Sequence, residues 1–174
     1  MDKVLLVTGG SRGIGAASCL LAARQGWSVA VNYTANSLAA DEVVRDIRAA
    51  GGRAMAVQAD VADEAQVLRM FEQVDAKLGR LTGLVNNAGV VDVTARVENM
   101  SVARWKRMFD INVIGSLICA REAVRRMSTQ HGGSGGSIVN LSSAAARLGA
   151  PGQYVDYAAA KGAIDTFTIG LAKE

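Results

Sequence analysis

Short apolar runs alternate with longer amphipathic stretches along this chain. Val4–Val7, 28–32, Ala54–Gln58, Gly83–Asn86 and 138–141 read as strands. Several are apolar at consecutive positions, which fits strands buried on both faces and hence a parallel sheet covered by helices. Between them, 14–25, 38–50, Glu64–Leu78, 102–127 and roughly 157–172 carry apolar residues at helical spacing. Gly26, Gly51-Gly52 and Gly79 punctuate the helix ends, where a left-handed residue is favoured. This strand–helix repeat predicts right-handed crossovers and an α/β fold with a doubly wound parallel sheet in three layers, αβα.

Composition narrows the partners more than the fold. A length of 174 residues suits a single domain, and half of them are hydrophobic, so a packed globule is expected. The net charge of +3 is spread over scattered Lys and Arg, with no run longer than Arg125-Arg126. That bias does not make a nucleic-acid groove. Cys19 and Cys119 lie far apart without CxxC spacing and read as buried free thiols in a reducing compartment. The start, Met1-Asp2-Lys3 followed by four apolar residues, is too short for a signal or a membrane span. A soluble cytoplasmic protein is expected. His131 is the lone histidine, so no metal site is expected. It opens the glycine-rich stretch 131–136, which follows a helix and precedes a strand. A phosphate cradle needs the opposite order, so this stretch reads as a flexible surface loop.

Chemistry enters at the end of the first strand, which runs into Thr8-Gly9-Gly10-Ser11-Arg12-Gly13-Ile14-Gly15. Glycines at 9, 13 and 15 permit a tight turn, close backbone approach to a pyrophosphate and close helix–strand packing. The helix that begins there would present free N–H groups and a positive dipole end to phosphate oxygens. Gly9, Ser11, Arg12, Gly13, Ile14 and Gly15 are therefore candidate dinucleotide contacts.

The spacing G-x-x-x-G-x-G resembles the TGxxxGxG signature of the short-chain dehydrogenase/reductase family. The resemblance extends through Asn86-Asn87-Ala88-Gly89, Asn112, Ser142-Ser143 and Tyr157-x-x-x-Lys161, in the family's order and approximate spacing. It implies a Rossmann-type fold and a nicotinamide-dependent reduction of carbonyls or oxidation of alcohols. It also implies that Asp60 and Val61 flank the adenine, and that Asn87, Ala88 and Gly89 line the ribose region and brace the sheet. Asn112 would bend its helix and hold a water in a proton relay. Bacterial 3-oxoacyl-carrier-protein reductases and glucose dehydrogenase-like members resemble the chain most.

The second strand ends at Asn32-Tyr33 with no acid at its tip, where a ribose 2′-hydroxyl usually meets Asp or Glu. Asn32 is a candidate cofactor contact, and Arg12 can pair with a 2′-phosphate or stack on adenine. NADP(H) is expected over NAD(H).

Tyr157 and Lys161 are four residues apart and share a helix face. A free phenol titrates near 10, and a neighbouring cation favours its ionised form, bringing it into range for proton exchange with substrate oxygen. The other tyrosines, Tyr33 and Tyr154, have Ser37 and Ala158 at the fourth position. Lys161 would also bind the nicotinamide ribose. Ser143, after the fifth strand at the carboxyl edge, is expected to hold the substrate oxygen, with Ser142 the close alternative.

By the same resemblance, residues 1–174 form one dinucleotide-binding and catalytic domain that is incomplete at the C-terminus, lacking the family's last strands. The chain reads as a fragment or a natural truncation, with its fifth strand an exposed edge, poorly active alone and prone to aggregate. Full-length oligomers, dimers or tetramers, are expected to pair helices such as 102–127. The segment 147–156 is expected to border the substrate pocket without selecting a substrate. A non-catalytic, cofactor-binding regulatory module or an inactive fragment is the alternative function. A related sugar-nucleotide epimerase or dehydratase is disfavoured by the glycine spacing and Asn86–Gly89.

Overall fold

A computed structural model of the chain describes residues 3–174. The reading of the start as too short for a leader involves Met1 and Asp2, which lie outside the described residues. Five parallel strands, β1 (Val4–Val7), β2 (Ser28–Tyr33), β3 (Ala54–Gln58), β4 (Gly83–Asn86) and β5 (Ser137–Asn140), form one sheet in the order β3-β2-β1-β4-β5. The helices are α1 (Gly13–Arg24), α2 (Ser37–Ala49), α3 (Glu64–Leu78), α4 (Val102–Phe109), α5 (Gly115–Met127), α6 (Ala145–Leu148) and α7 (Val155–Leu171).

The apolar runs sit between two helical layers, as their lack of alternation requires. In β1, Val4 and Leu6 face a core built with α3 and α5, where Phe71, Met70 and Cys119 are fully buried. Leu5 and Val7 face a second core built with α1 and α2, which contribute Cys19, Val43, Val44 and Ile47. The chain is therefore a three-layer αβα fold of Rossmann type. β5 lies at the edge of the sheet, with Val139 about half exposed.

The sequence-based expectations differ from the structure in particular places. The stretch 102–127 is not one regular helix: a π-turn at Asp110–Ile114 separates α4 from α5. The helix expected from 157 begins at Val155, and α6 has no counterpart in the sequence pattern. The glycine-rich stretch is fastened rather than loose. Arg80 donates to the carbonyls of Arg126, His131 and Gly132, tying it to the end of α5.

The order of the strands reverses between β1 and β4. Doubly wound sheets bind ligands at that switch, outside the carboxyl ends of the strands. The residues singled out above converge there.

Candidate active site

A cleft of about 590 Å³ opens over the carboxyl ends of β1 to β4. Its walls include Gly9, Ser11, Arg12, Gly13 and Ile14 from the first turn, Asp60 and Val61 after β3, and Asn87, Ala88 and Gly89 after β4. The start of α1 differs from those of α2, α3 and α4. Asn36, Asp63 and Ser101 cap those three helices by accepting a backbone N–H. α1 has no side-chain cap and no acid in its first turn. Gly13 and Ile14 at this start line the cleft, and first-turn amides free of a side-chain cap suit an anion.

The glycines build this turn. Gly9 adopts φ +61°, a left-handed conformation that a side chain would strain. A Cβ on Gly15 would lie 2.4 Å from the Gly9 carbonyl and 2.6 Å from Asn87 Nδ2, so only glycine lets α1 sit this close to β4. Asn87 Nδ2 donates to the carbonyls of Thr8 and Gly9 at 2.8 and 2.9 Å. Thr8 Oγ1 in turn accepts the Asn87 and Ala88 amides, both at 3.0 Å. Asn87 and Ala88 thus line the cleft and hold the turn at once.

Asn32 is placed differently from the expectation that it contacts cofactor. It is fully buried: Oδ1 accepts the Gly9 amide, and Nδ2 donates to the carbonyls of Val57 and Ala59. It fixes the glycine turn from beneath, and Tyr33, Thr34, Ala35 and Asn36 form that wall instead. Residues 32–36 at the tip of β2 include no carboxylate, and Arg12 is exposed without an ion-pair partner among the described residues. Arg107 and Ile111, one turn apart, also line the cleft. Sequence reasoning missed both, because nothing in the amphipathic pattern of 102–127 marks that face.

Tyr157 and Lys161, the pair expected to transfer a proton, lie beside the same cleft. Tyr157 packs against Met108, Val113 and Ala160, and Tyr154 meets its ring edge-on with centroids 5.8 Å apart. Lys161 Nζ lies 5.7 Å from the Tyr157 ring centroid and donates to the Leu141 carbonyl at 2.7 Å, at the end of β5. A Cβ on Gly89 would sit 3.7 Å from Lys161 Nζ and 2.7 Å from Asn112 Oδ1, so the lysine borders the cleft. Desolvation pulls the buried Lys161 below its ordinary value of 10.5, opposed by the Asp165 carboxylate. Below that ordinary value the unfolded chain takes up a proton here more readily than the folded one, so stability is lost as pH falls through it. Lys161→Met is therefore expected to gain on the wild type as pH is lowered from about 11 to about 8, read by denaturant unfolding at each pH. A difference that does not change with pH would contradict this.

Asn112 lies in the middle of the π-turn, a form of helix that concentrates at functional sites. Its Nδ2 donates to the Met108 and Val90 carbonyls at 3.0 Å each, and Oδ1 accepts the Val90 amide. The side chain stitches the π-turn to the strand exit. Ser142 Oγ turns to the Lys161 carbonyl, whereas Ser143 Oγ accepts the Ala145 amide and keeps its own proton to give. Of the segment 147–156, Asp156 is buried against Arg104, a pairing that no spacing announced because the two are 52 residues apart.

The profile of the short chain dehydrogenase family matches residues 3–174. The chain belongs to the short-chain dehydrogenase family. Among family members, it is 55% identical over 171 residues to the uncharacterized oxidoreductase YgfF of Escherichia coli K12, covering 98% of this chain and 69% of that protein. It is 41% identical to the 3-oxoacyl-[acyl-carrier-protein] reductase of a Synechocystis species, covering 99% of this chain and 68% of the relative. A short-chain dehydrogenase of Mycobacterium avium superposes with a TM-score of 0.92 at 34% identity, over 99% of this chain and 65% of that one. The chain spans about two thirds of the length of these short-chain dehydrogenases. It is an oxidoreductase by family, of a fold that binds nicotinamide cofactors. No helix among the described residues is long and apolar enough to cross a membrane.

Proposed function

We propose that this chain is the nucleotide-binding and catalytic part of an NADP(H)-dependent oxidoreductase that interconverts a carbonyl compound and a secondary alcohol. The observation that carries this reading is the junction at Gly89. This residue lines the cleft, and a side chain on it would meet the Lys161 amine, so the proton-transfer pair and the anion-binding helix end serve one ligand.

The residues present fit a dinucleotide. Gly9 and Gly13 line the cleft without side chains, Gly15 lets α1 pack tightly against the turn, and the uncapped α1 offers its amides to the pyrophosphate. Val61, Ala88 and Ile111 give apolar surface for adenine, with Arg107 at the rim. When bound, the nicotinamide supplies the hydride for reduction and accepts it for oxidation. Tyr157 gives its phenolic proton to the carbonyl oxygen, and Ser143 donates a hydrogen bond to the same oxygen. Lys161 holds the ribose hydroxyls and, as a cation beside the phenol, favours loss of its proton. In the oxidative direction Tyr157 takes the alcohol proton.

Arg12 beside an acid-free β2 tip supports NADP(H). Arg12→Ala is expected to weaken NADPH binding about tenfold or more, the worth of a charge-assisted hydrogen bond, and to change NADH binding by less than about twofold. Fluorescence titration of both nucleotides checks this, and equal losses would contradict the preference. Cytoplasmic residence is supported by Cys19 and Cys119, free buried thiols pushed up to about 12 by desolvation and so kept unreactive. A homo-oligomer is supported by the exposed apolar stripe Val102, Trp105 and Phe109 on α4.

A further inference from the structure

Arg104 and Asp156 form a two-point ion pair, Nε to Oδ2 at 2.7 Å and Nη2 to Oδ1 at 3.2 Å. Their side chains are only 9% and 2% exposed. Arg104 also donates through Nη1 to the Val93 carbonyl at 2.6 Å. Asp156 Oδ1 accepts the amide of Tyr157 at 3.0 Å. α7 has no side-chain cap, so this carboxylate in its first turn satisfies one of the helix's orphan donors. Close by, the Ala95 amide donates to the Gln153 carbonyl at 2.8 Å, joining the same two segments a second time. Arg104 is itself fixed at the start of α4, where Ser101 Oγ accepts its amide.

One guanidinium therefore ties three pieces of chain together: α4, the segment after β4, and the first turn of the helix that carries Tyr157. The segment after β4 includes Gly89 and Val90, which line the nucleotide cleft. We propose that Arg104 and Asp156 are positioning residues that set the spacing between the segment Val90–Ala95, which leaves the cleft wall at Val90, and the Tyr157 phenol. Neither residue lines the nucleotide cleft or supplies a proton. Their planar, bidentate geometry fixes orientation as well as distance, which a single ammonium cannot do. This inference rests on Tyr157 as the proton-transfer group.

Removing one partner strands a buried charge and risks unfolding the chain, so the decisive variant removes both. Replacing a buried ion pair by apolar side chains of similar volume is often neutral for stability. Arg104→Met/Asp156→Leu keeps the packing and deletes the side-chain bonds to the Val93 carbonyl and to the Tyr157 amide. Its thermal unfolding and its Kd for NADPH should stay near those of the wild type. Deuterium uptake in peptides covering 91–96 and 154–158 should accelerate roughly tenfold. With ethyl acetoacetate as the carbonyl probe, kcat should fall about 100-fold with the KM for NADPH unchanged, as a misplaced proton donor requires. Arg104→Lys, which keeps the charge without the fork, should recover part of the exchange protection and part of kcat.

Unchanged exchange in both peptides would overturn the proposal, whatever the turnover. An equal fall in global stability and in exchange protection throughout the chain would overturn it too, because the pair would then be a structural element only. A wild type that binds neither NADPH nor NADH would defeat the cofactor reading instead, and the exchange result would still decide on the clamp.

Discussion

Tyr157→Phe is expected to lower kcat by about 10³-fold while leaving the Kd for NADPH within about twofold, inside the range that positioned acid–base groups contribute. The substitution removes one oxygen and little else. Phenylalanine keeps the ring contacts with Met108, Val113 and Ala160 and the edge-on meeting with Tyr154. Lys161 keeps its bond to the Leu141 carbonyl, so the neighbouring amine stays in place. Steady-state turnover at saturating NADPH and a nucleotide fluorescence titration separate the two effects. A loss smaller than about tenfold with binding intact would assign proton transfer to another group.

Gly15→Ala is expected to cost about 2–3 kcal/mol of stability, a Tm drop of roughly 6–10 °C, and to weaken nucleotide binding as well. Alanine is ordinarily the better helix former, so propensity alone gives the opposite sign. Sterics win here, because the added Cβ would lie 2.4 Å from the Gly9 carbonyl and 3.0 Å from Gly10 Cα, both backbone atoms that cannot swing away. Moving them breaks the Asn87 bonds to Thr8 and Gly9 and shifts the amides at the start of α1. Gly162 in α7 is the internal control. A Cβ there meets nothing within 4 Å, so Gly162→Ala should stabilise by roughly 1 kcal/mol. Calorimetry on both variants tests the contrast, and a neutral Gly15→Ala would mean that the turn is not packed as described.

The sheet was legible because a strand buried on both faces leaves a plain mark. β1, β3 and β4 have the bounds that their apolar runs suggest, while β2 extends by Tyr33 and β5 is shifted by one residue. The glycine turn was legible because backbone that must come close to other backbone leaves no choice of residue. The π-turn left no mark in the apolar period over 102–127, which one extra residue barely disturbs; only the family resemblance put a bend at Asn112. α6 is a single turn, too short to establish any period. Polar residues near the site were the ambiguous ones. Asn32 in an apolar strand marks a special position, but its identity does not say whether the amide faces a ligand or a turn; the structure spends it on Gly9, Val57 and Ala59. Arg104 and Asp156 gave no signal, because a pair separated by 52 residues is made by tertiary packing alone.

The most direct test is the structure of this chain with NADP⁺ bound. The expected result has the pyrophosphate on the amides of Gly13 and Ile14, the 2′-phosphate at Arg12, and the nicotinamide ring facing the Tyr157 oxygen with Lys161 on its ribose. Phosphates bound away from the start of α1, or a nicotinamide turned from Tyr157 and out of its reach, would contradict it.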